Sequence, residues 1–294
     1  PNFGHASMGA EEFGGVLEYP APDSRAQSPI VRVHPIDSAE KVDAMSVPEM
    51  KDVPEVVRDS IAGQWVMKNY PAGYDAPSFV CGSAFTMAGN AIGVEDMLMW
   101  IIMEPGLVHK VVGKMGEFCF AKAKYILENV GPVMLFDGGP TESNDLISPD
   151  QFEAFALPAL VETRKKALAA GVPGFMAHPC GDQNGNINLW ARVPGTAAIN
   201  FDFRTPLQKV VEVFGKTTMI VGNIEPSMFQ YKGYDWIYDK TTECMGIAGT
   251  VPHGYMVGPG CEIPVSTPAI NLGAMLHATQ AFAQSKAWQD AKPR

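Results

Sequence analysis

Short apolar runs alternate with longer stretches of helical periodicity along most of this 294-residue chain. Phe79-Val80-Cys81-Gly82, Val133-Met134-Leu135-Phe136, Gly174 to Ala177, Ala197 to Phe201, Thr218 to Val221 and Gly254 to Val257 each break into a polar or glycine-rich loop. Such runs predict strands buried on both faces. Between them apolar residues recur at helical spacing over Ile92 to Met103, Leu107 to Glu128, Pro149 to Ala170, Pro206 to Phe214, roughly 235 to 247, and Pro268 to Ala283. Met97, Met99, Met103 and Met115 are expected to fill the core, and Ser83 to Asn90 reads as a loop. Residues 1 to 60 are richer in Pro, Gly, Ser and charge. Edge strands are expected there at Gly15-Val16-Leu17 and Ile30-Val31-Arg32-Val33, then a short helix near 39 to 45 capped by Ser38. A further helix is expected from Gln64 to Tyr70, before Pro71.

Strands of one polarity alternating with helices require a parallel sheet covered by helices. The predicted architecture is an α/β (β/α)8 TIM barrel, a single domain over 61–294, with residues 1–60 as a loop-rich segment packed on it. The chain opens at Pro1 without a clear element, so the first strand is expected to be missing or irregular. A doubly wound open sheet is the alternative, but no G-x-G-x-x-G or P-loop turn follows the early strands. In a barrel the active site forms just past the strand C-termini. Asp137, His178, Cys180, Asp202, Asn223, Glu225 and Cys261 collect there.

Three of these form a donor set. In Ala177-His178-Pro179-Cys180-Gly181, positions i and i+2 of an extended segment share a face, and Pro179 keeps the backbone from turning helical. Cys261 follows a second apolar run. One imidazole and two thiolates suit Zn²⁺, and three protein ligands describe a catalytic site with an open position. The competing reading makes the cysteines small buried hydrophobes and His178 a satisfied core residue.

Composition narrows the function. A net charge of −10 with no basic cluster excludes a phosphate-backbone partner, so no nucleic acid is expected. No uninterrupted apolar stretch of about 18 residues predicts a membrane span. Five widely spaced cysteines form no disulfide framework and fit a reducing, cytoplasmic setting.

Asp145-Leu146-Ile147-Ser148-Pro149, the His178 segment, Gly222-Asn223-Ile224-Glu225-Pro226, Gly258-Pro259-Gly260-Cys261-Glu262-Ile263-Pro264 and the ending Thr267-Pro268-Ala269-Ile270-Asn271-Leu272 resemble the uroporphyrinogen decarboxylase superfamily. The likeness runs from about residue 75 to 283, with a weaker match before it. His-x-Cys followed much later by Cys is similar to its zinc-dependent corrinoid methyltransferase branch. The resemblance implies a (β/α)8 barrel, zinc on His178, Cys180 and Cys261, and methyl transfer to or from the cobalt of a corrinoid. No Asp-x-His-x-x-Gly corrinoid loop occurs in these residues, so a separate corrinoid protein is the expected partner. The small substrate is a thiol acceptor or a methylated donor such as a methyl ether. Porphyrinogen decarboxylation is the alternative, but its arginine-rich anion site has no counterpart, since Arg25, Arg32 and Arg58 are scattered.

Asp137 and Glu142 are candidates for a fourth zinc ligand, a general acid or base, or a group orienting a ligand; a capping or solvated carboxylate is the competing reading. Asn223 binds substrate or holds its loop, and Glu225 is a candidate ligand. Glu262 should point away, and His109, His253 and His277 should be structural or superficial. Cys81 is either a pocket-lining or a buried thiol. Phe85, Phe136, Phe201 and Phe203 form an apolar wall or core packing.

Overall fold

The computed structural model describes residues 2–3, 7–21, 28–70 and 78–291. They fall into two compact units: Pro1–Glu142 with Leu146–Met176 and Arg192–Thr196, and Ser143–Asp145 with Ala177–Ala191 and Ala197–Arg294. The helix Pro54–Asn69 spans residue 60.

In the first unit parallel strands lie side by side in chain order: β1 (Asn2–Phe3), β4 (Ser78–Val80), β5 (Leu135–Asp137) and β6 (Phe175–Ala177). Phe3 pairs with Phe79, and Phe79 with Leu135. The residues between β1 and β4 include an antiparallel hairpin, β2 (Val16–Glu18) and β3 (Ile30–Val33), so both expected edge strands form, paired with each other. Ser38 caps Ala39–Asp43 through the amide of Lys41. The helix Pro54–Asn69 begins well before the expected Gln64, with proline at its first position, where a missing N–H leaves nothing unpaired.

Two expectations fail here. Ala84–Ile92 is a helix, not a loop: eight of its nine residues are buried, so no polar face marks its period. On the helix Val94–Met103, Met97 is buried but Met99 and Met103 are 53% and 74% exposed, because they lie on the opposite side from Met97 and Ile101. Met115, on Pro105–Asn129, is buried as expected. The long helix expected from Pro149 carries a π turn at Phe152–Ala156 before Leu157–Ala170, next to Pro158, which has no N–H to continue the ladder.

Beneath β5 and β6 sits a fully buried cation. Arg164 donates from Nε and Nη2 to the two oxygens of Asp137 at 2.7 and 2.5 Å, and from Nη1 to Thr196 Oγ1 at 2.7 Å and the Pro194 carbonyl at 3.1 Å. Its guanidinium carbon lies 4.6 Å from the centre of the Phe175 ring. A buried guanidinium is tolerated only with its donors satisfied in this way.

The second unit contains β7 (Thr196–Asn200), β8 (Met219–Val221) and β9 (Tyr255–Met256), again parallel and in chain order. The helix Leu207–Phe214 buries Leu207, Val210 and Phe214, the i, i+3, i+7 stripe that its sequence shows. Tyr234–Ala248 connects β8 to β9 and packs on Ala269–Ala283. Each unit thus holds its parallel strands in chain order, as a (β/α)8 barrel requires. No helix among the described residues is long and apolar enough to cross a membrane.

Replacing Asp137 by Asn should leave the Arg164 charge buried and half-paired, lowering the unfolding free energy by about 3–5 kcal/mol in urea denaturation. Adding Arg164→Met to that variant should recover part of the loss.

Candidate metal centre

His178, Cys180 and Cys261 come together in the second unit, with one ligand atom from each lying within 4.8 Å of the others. His178 and Cys180 leave the end of β6 in an irregular loop, and Cys261 follows β9. The Nε2 of His178 is 3.4 Å from the Sγ of Cys261. Zinc–nitrogen and zinc–sulfur bonds of ordinary length at a tetrahedral angle would separate these atoms by about 3.6 Å. The donor set therefore fits zinc in both chemistry and spacing.

The other ring nitrogen is committed. His178 Nδ1 donates to the backbone carbonyl of Asn200 at 3.0 Å, which directs Nε2 toward the sulfurs. Asn200, at the end of β7, also donates from Nδ2 to the carbonyls of Val221 at 3.0 Å and Pro259 at 3.4 Å. One buried residue thereby ties the imidazole to the end of β8 and to the turn that precedes Cys261. Gly222 makes room for it: a Cβ there would lie 2.5 Å from Asn200 Nδ2, and its φ is +100°. Sequence reading missed Asn200, although an Asn closing an apolar strand, where no turn calls for it, was the available signal.

The charges are arranged for a deprotonated sulfur. Hydrogen bonds from Cys180 and then His178 push the Cys261 thiol down to about 4, against the burial that would raise it. Burial alone would favour a neutral His178, but its contact with Cys261 and the Asn200 carbonyl outweigh this and raise its pKa. Asp202, buried, accepts from the Arg204 amide at 3.1 Å, and its charge also favours a cationic ring at His178.

The remaining candidates have other partners. Asn223 donates from Nδ2 to the carbonyls of Asp202 at 3.1 Å and Thr205 at 2.7 Å, holding the turn after β7. Glu225 is half-buried and accepts from the Ser227 hydroxyl at 2.6 Å. Glu262 and His253 are exposed. In the first unit both oxygens of Asp137 face Arg164. Glu142, also there, is fully buried and accepts from the hydroxyls of Ser83 and, at 2.8 Å, Thr86. Burial, aided by the charge of Asp137, pushes its carboxyl up to about 8. Cys81 is buried and donates to the Cys119 carbonyl. Phe85 and Phe201 are buried, whereas Phe203 is 40% exposed.

Residues 4–282 match the uroporphyrinogen decarboxylase (URO-D) family. The chain belongs to that family. The match reaches back through the segment where sequence reading found only a weak likeness. Among similar proteins, a methylated-thiol–coenzyme M methyltransferase of Methanosarcina mazei is 29% identical over 195 residues, covering 66% of this chain and 50% of the relative. A methylcobamide:CoM methyltransferase of Methanosarcina acetivorans is 25% identical over 170 residues, covering 56% and 47%. A uroporphyrinogen decarboxylase of Trichodesmium erythraeum is 22% identical over 273 residues, covering 89% and 69%. The chain thus spans about half the length of the two methyltransferases it matches. A solved methyltransferase structure from Methanosarcina mazei superposes with a TM-score of 0.76 at 21% identity, over 92% of this chain and 77% of the other. That likeness shows the fold alone.

A carboxyl raised in the folded state keeps its proton where the unfolded chain has lost it. Stability should therefore fall as pH rises from the ordinary 4.5 through about 8, the window set by Glu142. Urea midpoints at pH 5 and pH 8 should differ in the wild-type protein, and Glu142→Gln should flatten that difference.

Proposed function

We propose that this URO-D family chain is a zinc-dependent methyltransferase that moves a methyl group between the cobalt of a corrinoid, carried by a partner protein, and a small substrate. The convergence of His178, Cys180 and Cys261 carries the reading. The names of the two methyltransferase relatives support it. A likeness to decarboxylases supports only the fold, since porphyrinogen decarboxylation has no use for two thiolates and an imidazole aimed at one point. Of the scattered arginines, Arg32 pairs with Glu18 and Arg58 with Asp59 at 3.1 Å, while Arg25 lies outside the described residues.

His178 would hold the metal through Nε2, and Cys180 and Cys261 through their sulfurs. Zinc in this set supplies Lewis acidity, tempered by two thiolates, toward a thiol or an oxygen at its open position. The protein's own part is to align the donors and to keep the Cys261 sulfur deprotonated. Asn200 holds the Nδ1 proton, and Asp202 supports the positive charge that builds on the ring when Nε2 is donated. The same donor set serves a thiol acceptor, which must lose its proton to become nucleophilic, and a methyl ether, whose oxygen must be polarised as the methyl leaves. Asp137 is read as structural and Asn223 as a positioning residue, each through its hydrogen bonds. Glu142 is read as a buried group of the first unit and Glu225 as a partner of Ser227.

Protein purified under reducing conditions should carry about one zinc per chain, the load of a three-ligand site, and Cys261→Ala should lose it. With zinc present, a methylated corrinoid protein should be demethylated by small thiols, followed by corrinoid absorbance, and the variant should fail. Wild-type protein that is folded, zinc-free and unaffected by chelators would overturn the reading and favour decarboxylation.

A further inference from the structure

We propose that Ser143-Asn144-Asp145 is a clamp that positions the Cys180 loop for metal binding, with Asp145 as its hub; the inference rests on the zinc reading above. These three residues belong to the second unit, although the chain on both sides of them belongs to the first. What joins them to it is a set of bonds to the segment just after Cys180. The Oδ2 of Asp145 accepts from the Ser143 hydroxyl at 2.8 Å, the Asp182 amide at 3.1 Å and Arg204 Nη1 at 2.6 Å. Asn144 donates its amide to the Asp182 carbonyl at 2.6 Å and Nδ2 to Asn186 Oδ1 at 3.0 Å, and its Oδ1 accepts from the Gly185 amide at 2.8 Å.

The packing is as close as the bonding. Gly181, directly after Cys180, has φ +67°, and a Cβ there would fall 2.4 Å from Ser143 Oγ and 2.9 Å from Asp145 Oδ2. The loop from His178 to Gln183 has no helix or strand of its own, so side-chain bonds must set its course. Gln183 takes a share of this, donating from Nε2 to the Cys180 carbonyl at 2.8 Å. A metal ligand must be held to within about 0.5 Å of its productive place. On a loop, that precision comes from the groups bonded behind it, and losing such groups typically costs about 10- to 100-fold in metal affinity.

The members are unequal. Arg204 and Asp145 are 48% and 36% exposed, and an ion pair in water contributes little. The Asp182 amide, which belongs to the loop and meets the same oxygen, carries the positioning, and the Ser143 hydroxyl holds that oxygen in place. Asp145 is thus a positioning residue that acts through Gly181 and Asp182 on Cys180.

The test measures zinc affinity by competition with a chromophoric chelator, the absorption spectrum of the cobalt(II)-substituted protein, and unfolding of the chelator-treated protein. Asp145→Ala should weaken zinc by about 10- to 100-fold and alter the thiolate-to-cobalt bands, while the unfolding midpoint of the chelator-treated protein changes little. Asp145→Asn, which keeps an acceptor oxygen, should restore most of the affinity, and Arg204→Gln should change it by less than about 3-fold. Asn144→Ala, which removes the side-chain bonds to Asn186 and Gly185, should weaken zinc in the same sense and serves if Asp145→Ala does not fold. Wild-type affinity and spectra in both alanine variants would overturn the clamp alone. A wild-type protein that binds no metal would overturn the zinc reading and the clamp with it.

Discussion

Asn200 is the residue on which the geometry of the second unit turns. Its carbonyl fixes the tautomer and direction of His178, and its carboxamide bonds the carbonyls of Val221 and Pro259. Buried amide hydrogens must find acceptors, so the residue holds its neighbours as firmly as they hold it. Three chain segments far apart in sequence are thereby fixed around one ring. The imidazole and Cys261 sulfur then meet at a separation close to what a tetrahedral zinc requires. No carboxylate needs to be recruited to explain their arrangement.

The first unit solves a different problem with similar means. Arg164 is buried, and its charge is met by Asp137, Thr196, a carbonyl and an aromatic face. A buried ion pair of this kind is weak evidence for net stability, but half of one is strongly unfavourable. Polar residues past strand ends therefore divide into two kinds. Asp137 and Asn223 spend their hydrogen bonds on the protein itself, whereas His178, Cys180 and Cys261 aim donor atoms at one another.

Membership of the URO-D family establishes the fold and leaves the chemistry open, because one barrel supports unrelated reactions through different loops. Proteins similar to this chain are named as decarboxylases and as methyltransferases. What separates the readings here is the chemistry of a few donor atoms. One imidazole and two cysteine sulfurs suit a soft, tetrahedral cation and leave one position open.

By itself the sequence determined the alternation of parallel strands and helices and the His-x-Cys pair. Short apolar runs bounded by loops, and an i, i+2 spacing across a proline, depend only on local backbone geometry. All six central strands lie at or within a residue or two of their apolar runs. Local pattern failed where burial erased it, as in Ala84–Ile92, which has no polar face to show its period. It also failed where exposure depends on what packs opposite, as at Met99 and Met103. Only the tertiary structure decided which partner each polar group takes. Asp137 meets a guanidinium 27 residues away, and His178 meets a carbonyl 22 residues away and a sulfur 83 residues away. No periodicity encodes such distances, because they are set by how strands and loops pack in space.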